Sequence, residues 1–342
     1  MVKKIDTRFN LLRVMAMIFV VCIHTLGLVF PGNVNYIWSA SHEVLITILF
    51  ICNPIFFMMS GHFNLHYKGS SRKDYVLYLK KKAMAIVLPL IIYEFIYYVV
   101  LTIARKDVNS LGSFVQGFFI NTLQEFTNTY FWFMYVLIGL LIAAPFFSKM
   151  IDNLNQSEKT SLLITSIVIQ LLIMICQFGN INLGISGYPF ISWIFYFILG
   201  RLLEDISLKS ISNPIKLGVL LLIMIVNIIT NRLFPNVLIH DQAPTNILFV
   251  VIIYMSLLDS VVFNKLSSNK IVAFLSKYSF SLYLSHGVFL IAFANVRITN
   301  YFVIQYLALI IMVSVSALFF GFLVDNIVVN PIKKIINNRI KK

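Results

Sequence analysis

The sequence predicts an all-α polytopic membrane protein, a bundle of about ten transmembrane helices with both termini in the cytoplasm. Three observations predict it. The 342 residues are 59% hydrophobic and 12% charged, with a mean hydropathy of +0.89, whereas a soluble domain carries about 25% charged residues. Apolar runs close to the roughly 20 residues that cross a hydrocarbon core recur along the whole chain. The basic residues gather in the short segments between alternate runs, as the positive-inside rule asks of a membrane protein.

On the 20-residue template the spans fall near 10–31, 43–65, 83–104, 130–148, 161–178, 188–204, 215–231, 246–263, 279–296 and 301–325. With the N-terminus inside, 22 of the 27 lysines and arginines lie on cytoplasmic segments or at the inner ends of the spans they flank. Four lie outside (Arg105, Lys106, Arg232 and Arg297), and Arg13 lies within a span. Dropping or adding one span would reverse every later loop and spoil this split. No polar stretch is long enough for a separate soluble domain, so residues 1–342 read as a single membrane domain. The net charge of +14 is a property of the loops and does not point to nucleic acid. Cys22, Cys52 and Cys176 all fall in apolar spans and read as small buried hydrophobes, not as a disulfide framework or a metal site. The first run follows Lys3 and Lys4 like a signal peptide, but Arg13 interrupts it and no small-residue cleavage signature comes before Pro31; it reads as an uncleaved first span. The segment 105–129, with Glu125, is the longest outside segment and reads as an ordinary loop.

Ionisable groups within spans are expensive and are therefore functional candidates. Arg13 and His24 are eleven residues apart, about three helical turns, so they share one helix face with a rise of roughly 16 Å between them. Arg13 falls near the cytoplasmic surface, where an arginine can simply snorkel or hold a phosphorylated ligand. His24 falls deep, where a histidine is either satisfied by a neighbouring helix or acts as a general base. Glu94, in the third span, needs a cation or a proton as partner; it supports a histidine or is a protonated acid bonded between helices. His286 lies in SFSLYLSHG, whose serines and tyrosines, Tyr283 among them, suggest a polar stripe. Arg201 and Asp259 sit at inner helix ends, where charge is cheap. His42, Glu43, His240 and Asp241 read as outer loop residues. In the second span, NPIFFMMSGHF, Pro54 predicts a kink, and Ser60 and Gly61 allow close helix approach. Lys80, Lys81 and Lys82 precede the third span, explained by topology or as point charges for phosphates.

Taken together the chain resembles the acyltransferase-3 family of membrane acyltransferases. The resemblance runs from about residue 5 to 335 and rests on ordered pieces: FNLLRVMAMIFVVCIHT, PIFFMMSGHF, the basic segment before LP, YFWFMYVLIGLLIAAP, YFILGRLL, SKYSFSLYLSH and NPIKK. It implies transfer of an acyl group, commonly acetyl from acetyl-CoA as co-substrate, to a carbohydrate or lipid-linked glycan at or across a bacterial cell membrane. It makes His24 the catalytic histidine, with Glu94 or His286 in support. Arg13 and the lysines around Lys82 become the donor entrance, and Ser60, Gly61, Trp132 and Tyr283 line the bundle. Lys82 stands where the family often has the first arginine of a basic pair, and the second falls on Ala85. Asn10 stands at an often acidic position, and Tyr130 where a histidine is often seen. No metal is expected. The acceptor is expected in a surface or exopolysaccharide, with transfer completed by this chain or handed to a separate extracytoplasmic transferase, since no extracellular domain follows the tenth span. The alternatives are a polysaccharide exporter of the same family and a non-catalytic membrane sensor.

Overall fold

The computed structural model describes residues 6–29, 36–105, 110–124, 129–181, 183–184, 190–234, 237 and 243–340. Every regular element in it is helical. In order they are α1 (Arg8–Val29), α2 (Tyr36–Leu49), α3 (Cys52–Asn64), α4 (Arg72–Lys82), α5 (Leu88–Arg105), α6 (Leu111–Leu123), α7 (Trp132–Asn153), α8 (Gln156–Phe178), α9 (Trp193–Leu202), α10 (Asn213–Leu233), α11 (Pro244–Asp259), α12 (Val261–Ser267), α13 (Lys270–Phe293), α14 (Phe302–Val324) and α15 (Asn330–Ile340). Five-residue π-helical turns join α4 to α5 and α14 to α15.

Among the described residues seven helical stretches are long and apolar enough to cross a membrane, or eight if α11 and α12, bent by 74°, form one span. The protein is a multi-pass membrane protein. Two of the ten expected spans differ. The segment near 188–204 has only ten helical residues, in α9. The ninth begins earlier than expected, at Lys270, and although 24 residues long it is not among the seven. A further correction concerns 105–129, read as a loop. It contains α6, opened by a reciprocal Ser110–Ser113 cap, with Phe114 and Phe118 one turn apart against Phe95 and Tyr98 of α5.

The chain forms two compact units. The first comprises Met1–Ile23, Pro31–Tyr67 and Ala143–Ser276; the second His24–Phe30, Lys68–Ile142 and Lys277–Lys342. In the first unit α3 and α9 approach at backbone distance. A Cβ on Gly61 would collide with the Phe197 carbonyl, and one on Gly200 with the Met58 carbonyl. Pro54 falls in the first turn of α3, where its missing N–H is not needed, and the helix is interrupted just before it, at Phe50 and Ile51. Arg232 pairs with Glu43 at 3.1 Å, so these two are ion-paired helix residues, not loop residues. His240 and Asp241 lie outside the described residues, as does Glu125.

At the other end of α3 a charged set links three segments. His62 and His66 both donate to Oε1 of Glu204 at 2.8 Å. Arg201 donates to Oε2 at 2.6 Å and reaches Asp152 at 3.5 Å. Arg201 therefore does more than end a helix. Burial acts to raise the Glu204 carboxyl, and the two histidine hydrogen bonds outweigh it, so it titrates below its ordinary value of 4.5. A carboxyl depressed in the folded state stabilises above its unfolded value, and that contribution is lost as pH falls through the folded value. The thermal midpoint of the protein should therefore fall as the pH drops below that ordinary value of 4.5, and fall less in Glu204→Gln; melting curves of the two proteins over that acid range check this.

In the second unit α4, the π turn Ala83–Val87 and α5 form one long rod. Pro145 in α7 has no N–H for the Leu141 carbonyl, and that carbonyl accepts instead from the Tyr78 hydroxyl at 3.0 Å. Ser281 donates to Asp325, and Tyr93 donates to the Gly321 carbonyl at 3.3 Å, which ties α5, α13 and α14 together. Residues 281–287 of α13 are buried without interruption, so this stretch of the helix is enclosed on all sides.

Candidate active site

The second unit gathers two histidines and two tyrosines. His24, in the last third of α1, has its ring centre 5.3 Å from that of His286 on α13, the planes 29° apart. The Tyr130 ring lies 4.4 Å from His24 and 5.4 Å from His286. The Tyr283 hydroxyl donates to the Tyr130 carbonyl, which fixes the backbone that carries the Tyr130 ring. Tyr130, standing at the position where a histidine is often seen, thus packs directly on His24.

The protonation of His286 follows from its partners. Its Nδ1 faces the Tyr283 carbonyl. A carbonyl only accepts, so Nδ1 carries the hydrogen. In the neutral ring Nε2 is then a bare lone pair, and among the described residues it has no hydrogen-bond partner. His286 is fully buried, whereas His24 keeps partial exposure. Of the two, only His24 keeps accessible surface, and the two rings stack.

Glu94 is fully buried in α5, in the same unit. The Tyr135 hydroxyl lies 3.1 Å from its Oε1 and 2.6 Å from the Thr122 carbonyl. The one hydroxyl proton donates to either acceptor in turn, so Tyr135 of α7 links Glu94 of α5 to Thr122 of α6. Trp132 packs edge-on against Phe133.

Arg13 belongs to the first unit. Its Nη1 donates to Ser276 Oγ at 2.9 Å, and Ser276 in turn donates to Asn10 Oδ1 at 3.1 Å. Its guanidinium lies 5.8 Å from the centre of the Phe63 ring. Among the described residues no carboxylate pairs with it. An acid at position 10 would supply one; the Asn10 amide instead holds the serine. A half-buried guanidinium with neutral neighbours is suited to an incoming anion.

The three lysines are not equivalent. Lys80 and Lys81 are exposed. Lys82 is half-buried, its Nζ 5.4 Å from the centre of the Tyr78 ring, and it lines a cavity of about 230 Å³ with Leu79, Ile86 and Leu141. Ser60 contributes its carbonyl to Asn64 at 2.7 Å. Among the described residues no group of three or more His, Cys, Asp and Glu could hold a metal ion. Sequence reasoning missed Tyr130 as a packing partner of His24, Tyr135 as the partner of Glu94, and the His62–His66–Glu204 set. A signal existed only for the last, in the one-turn spacing of His62 and His66.

The fold and the site together are those of a polytopic membrane protein with a half-buried histidine stacked on a fully buried one. A family model described as an acyltransferase domain matches residues 6–325, and the chain belongs to this acyltransferase-3 family. It is a membrane acyltransferase, and membership brings an acyl-CoA-like co-substrate and, in broad terms, contact with membrane lipid and carbohydrate. No curated protein and no solved structure matches the chain.

Proposed function

We propose that the protein transfers an acetyl group from cytoplasmic acetyl-CoA to a hydroxyl of a surface or exopolysaccharide acceptor in a bacterial cell membrane, with His24 as the base. The observation that carries this reading is the His24 arrangement: a reachable imidazole on α1, stacked on a fully buried His286. In this reading His24 takes the proton of the acceptor hydroxyl as its oxygen attacks the thioester carbonyl. The carbon–sulfur bond breaks, and the departing CoA thiolate recovers a proton from His24. His286, with its Nδ1 hydrogen fixed by the Tyr283 carbonyl, offers its Nε2 lone pair as support. Arg13, without an acid partner among the described residues, and Lys80, Lys81 and Lys82 supply cations for the donor phosphates. The one-sided distribution of lysine and arginine supports ten spans in a single domain, with both ends and the donor side in the cytoplasm.

The experiment is acetyl transfer by the purified full chain in proteoliposomes, with labelled acetyl-CoA and a polysaccharide acceptor. Label in the acceptor, or CoA released in its presence, is the expected result. Intact acetyl-CoA with every acceptor tried overturns the reading.

A further inference from the structure

His24 lacks what a proton-taking histidine ordinarily has. A carboxylate on its second nitrogen commonly orients such a ring and neutralises its charged form. Among the described residues His24 has no acid beside it and no hydrogen-bond partner. Glu94, buried in the same unit, meets Tyr135 instead, and Asp325 meets Ser281. The contacts of His24 are rings. The Tyr130 centre lies 4.4 Å from it and that of His286 5.3 Å, and these two are 5.4 Å from each other. All three belong to the second unit. Rings at such separations are in direct contact.

A proton on His24 makes an imidazolium in a half-buried place with no counter-charge, and a desolvated, unpaired cation is disfavoured. His286 adds a lone pair but no charge. A tyrosine ring carries a negative face and attracts a cation within about 6 Å of its centre, and Tyr130 is inside that range. The Tyr283 hydroxyl, donating to the Tyr130 carbonyl, holds the backbone that carries this ring. A phenol is uncharged near neutral pH, so it does not repel the cation as a second imidazolium would.

We propose that Tyr130 is a positioning residue for acyl transfer, its ring stabilising the imidazolium that His24 becomes on taking the acceptor's proton. Neutral His24 gains little from the same ring, so the contact acts on the transition state and not on donor binding. This inference rests on the acyl-transfer reading with His24 as base.

The test places phenylalanine and its mono-, di- and trifluorinated analogues at position 130 of the full chain in proteoliposomes. It measures kcat and the KM for labelled acetyl-CoA, with the polysaccharide acceptor that the wild type labels. Fluorine drains the negative face of the ring and nearly keeps its shape, so the series separates charge from packing. Tyr130→Phe should stay within about twofold of the wild-type kcat, because the face remains. Successive fluorines should lower kcat stepwise, by about three- to thirtyfold in total, with KM unchanged. Tyr130→Leu should reach the same low value. A flat kcat across the series in an active, His24-dependent protein overturns this inference alone. So does a Tyr130→Phe protein as slow as Tyr130→Leu, which assigns the effect to the hydroxyl. A wild type that transfers nothing, or transfer that survives His24→Ala, overturns the reading of His24 as base and this inference with it.

Discussion

Replacing His24 by alanine should lower acyl transfer by about a hundredfold to ten-thousandfold, the usual contribution of a positioned general base, while the protein still accumulates and melts normally. The second half of that expectation comes from the packing. His24 is flanked by the rings of Tyr130 and His286 and keeps partial exposure, so its removal leaves these rings without their neighbour but breaks no ion pair. The first half comes from chemistry. His286 carries a free lone pair, but it is fully buried, so it cannot take over at an acceptor hydroxyl. Steady-state transfer rates at saturating donor, measured on wild type and His24→Ala with matched melting curves, check this. Unchanged rates would falsify the role of His24.

The largest effect on folding should come from Gly200→Leu or Gly61→Leu. Both glycines lie where α3 and α9 cross, and each would drive a Cβ into a carbonyl of the opposite helix, Met58 for Gly200 and Phe197 for Gly61. A flexible side chain could swing away from such a Cβ, but a backbone carbonyl inside a helix cannot. Forced separation also opens the buried face Phe195–Gly200. The expected cost is above about 4 kcal/mol, a large part of the 5–15 kcal/mol that holds an ordinary domain together. Fluorescence-detected size-exclusion profiles should lose the monodisperse peak. Gly27→Ala, with no heavy atom within 4 Å of the added carbon, should keep it.

Much of this fold is written in runs of hydrophobicity, which is why α1, α7, α8, α10 and α14 fall close to where the sequence puts them. The departures have physical causes. α6 hides in a segment whose two glycines and many aromatics resemble a loop, because its Phe114–Phe118 stripe is too short to stand out. α9 stops after ten residues, whereas the apolar run that contains it is longer. The site is legible in the same uneven way. Arg13 and His24 share a helix, so their spacing exposes them. Glu94 and Tyr135 are 41 positions apart, and His66 and Glu204 are 138 apart; pairs of that kind exist only once helices pack.

α13 carries a consequence for how the protein enters the bilayer. Its buried side chains include Ser279, Ser281, Ser285 and His286, and it is not one of the seven stretches that are long and apolar enough to span by themselves. Such a segment partitions poorly into lipid as an isolated helix, because each serine and the imidazole would meet hydrocarbon. Its insertion must therefore be cooperative, with the α14 region that supplies the Asp325 acceptor for Ser281 entering alongside it. The helix that bears the second histidine is then the one whose place in the membrane is granted by its neighbours, and biogenesis of the second unit waits on the C-terminal third of the chain.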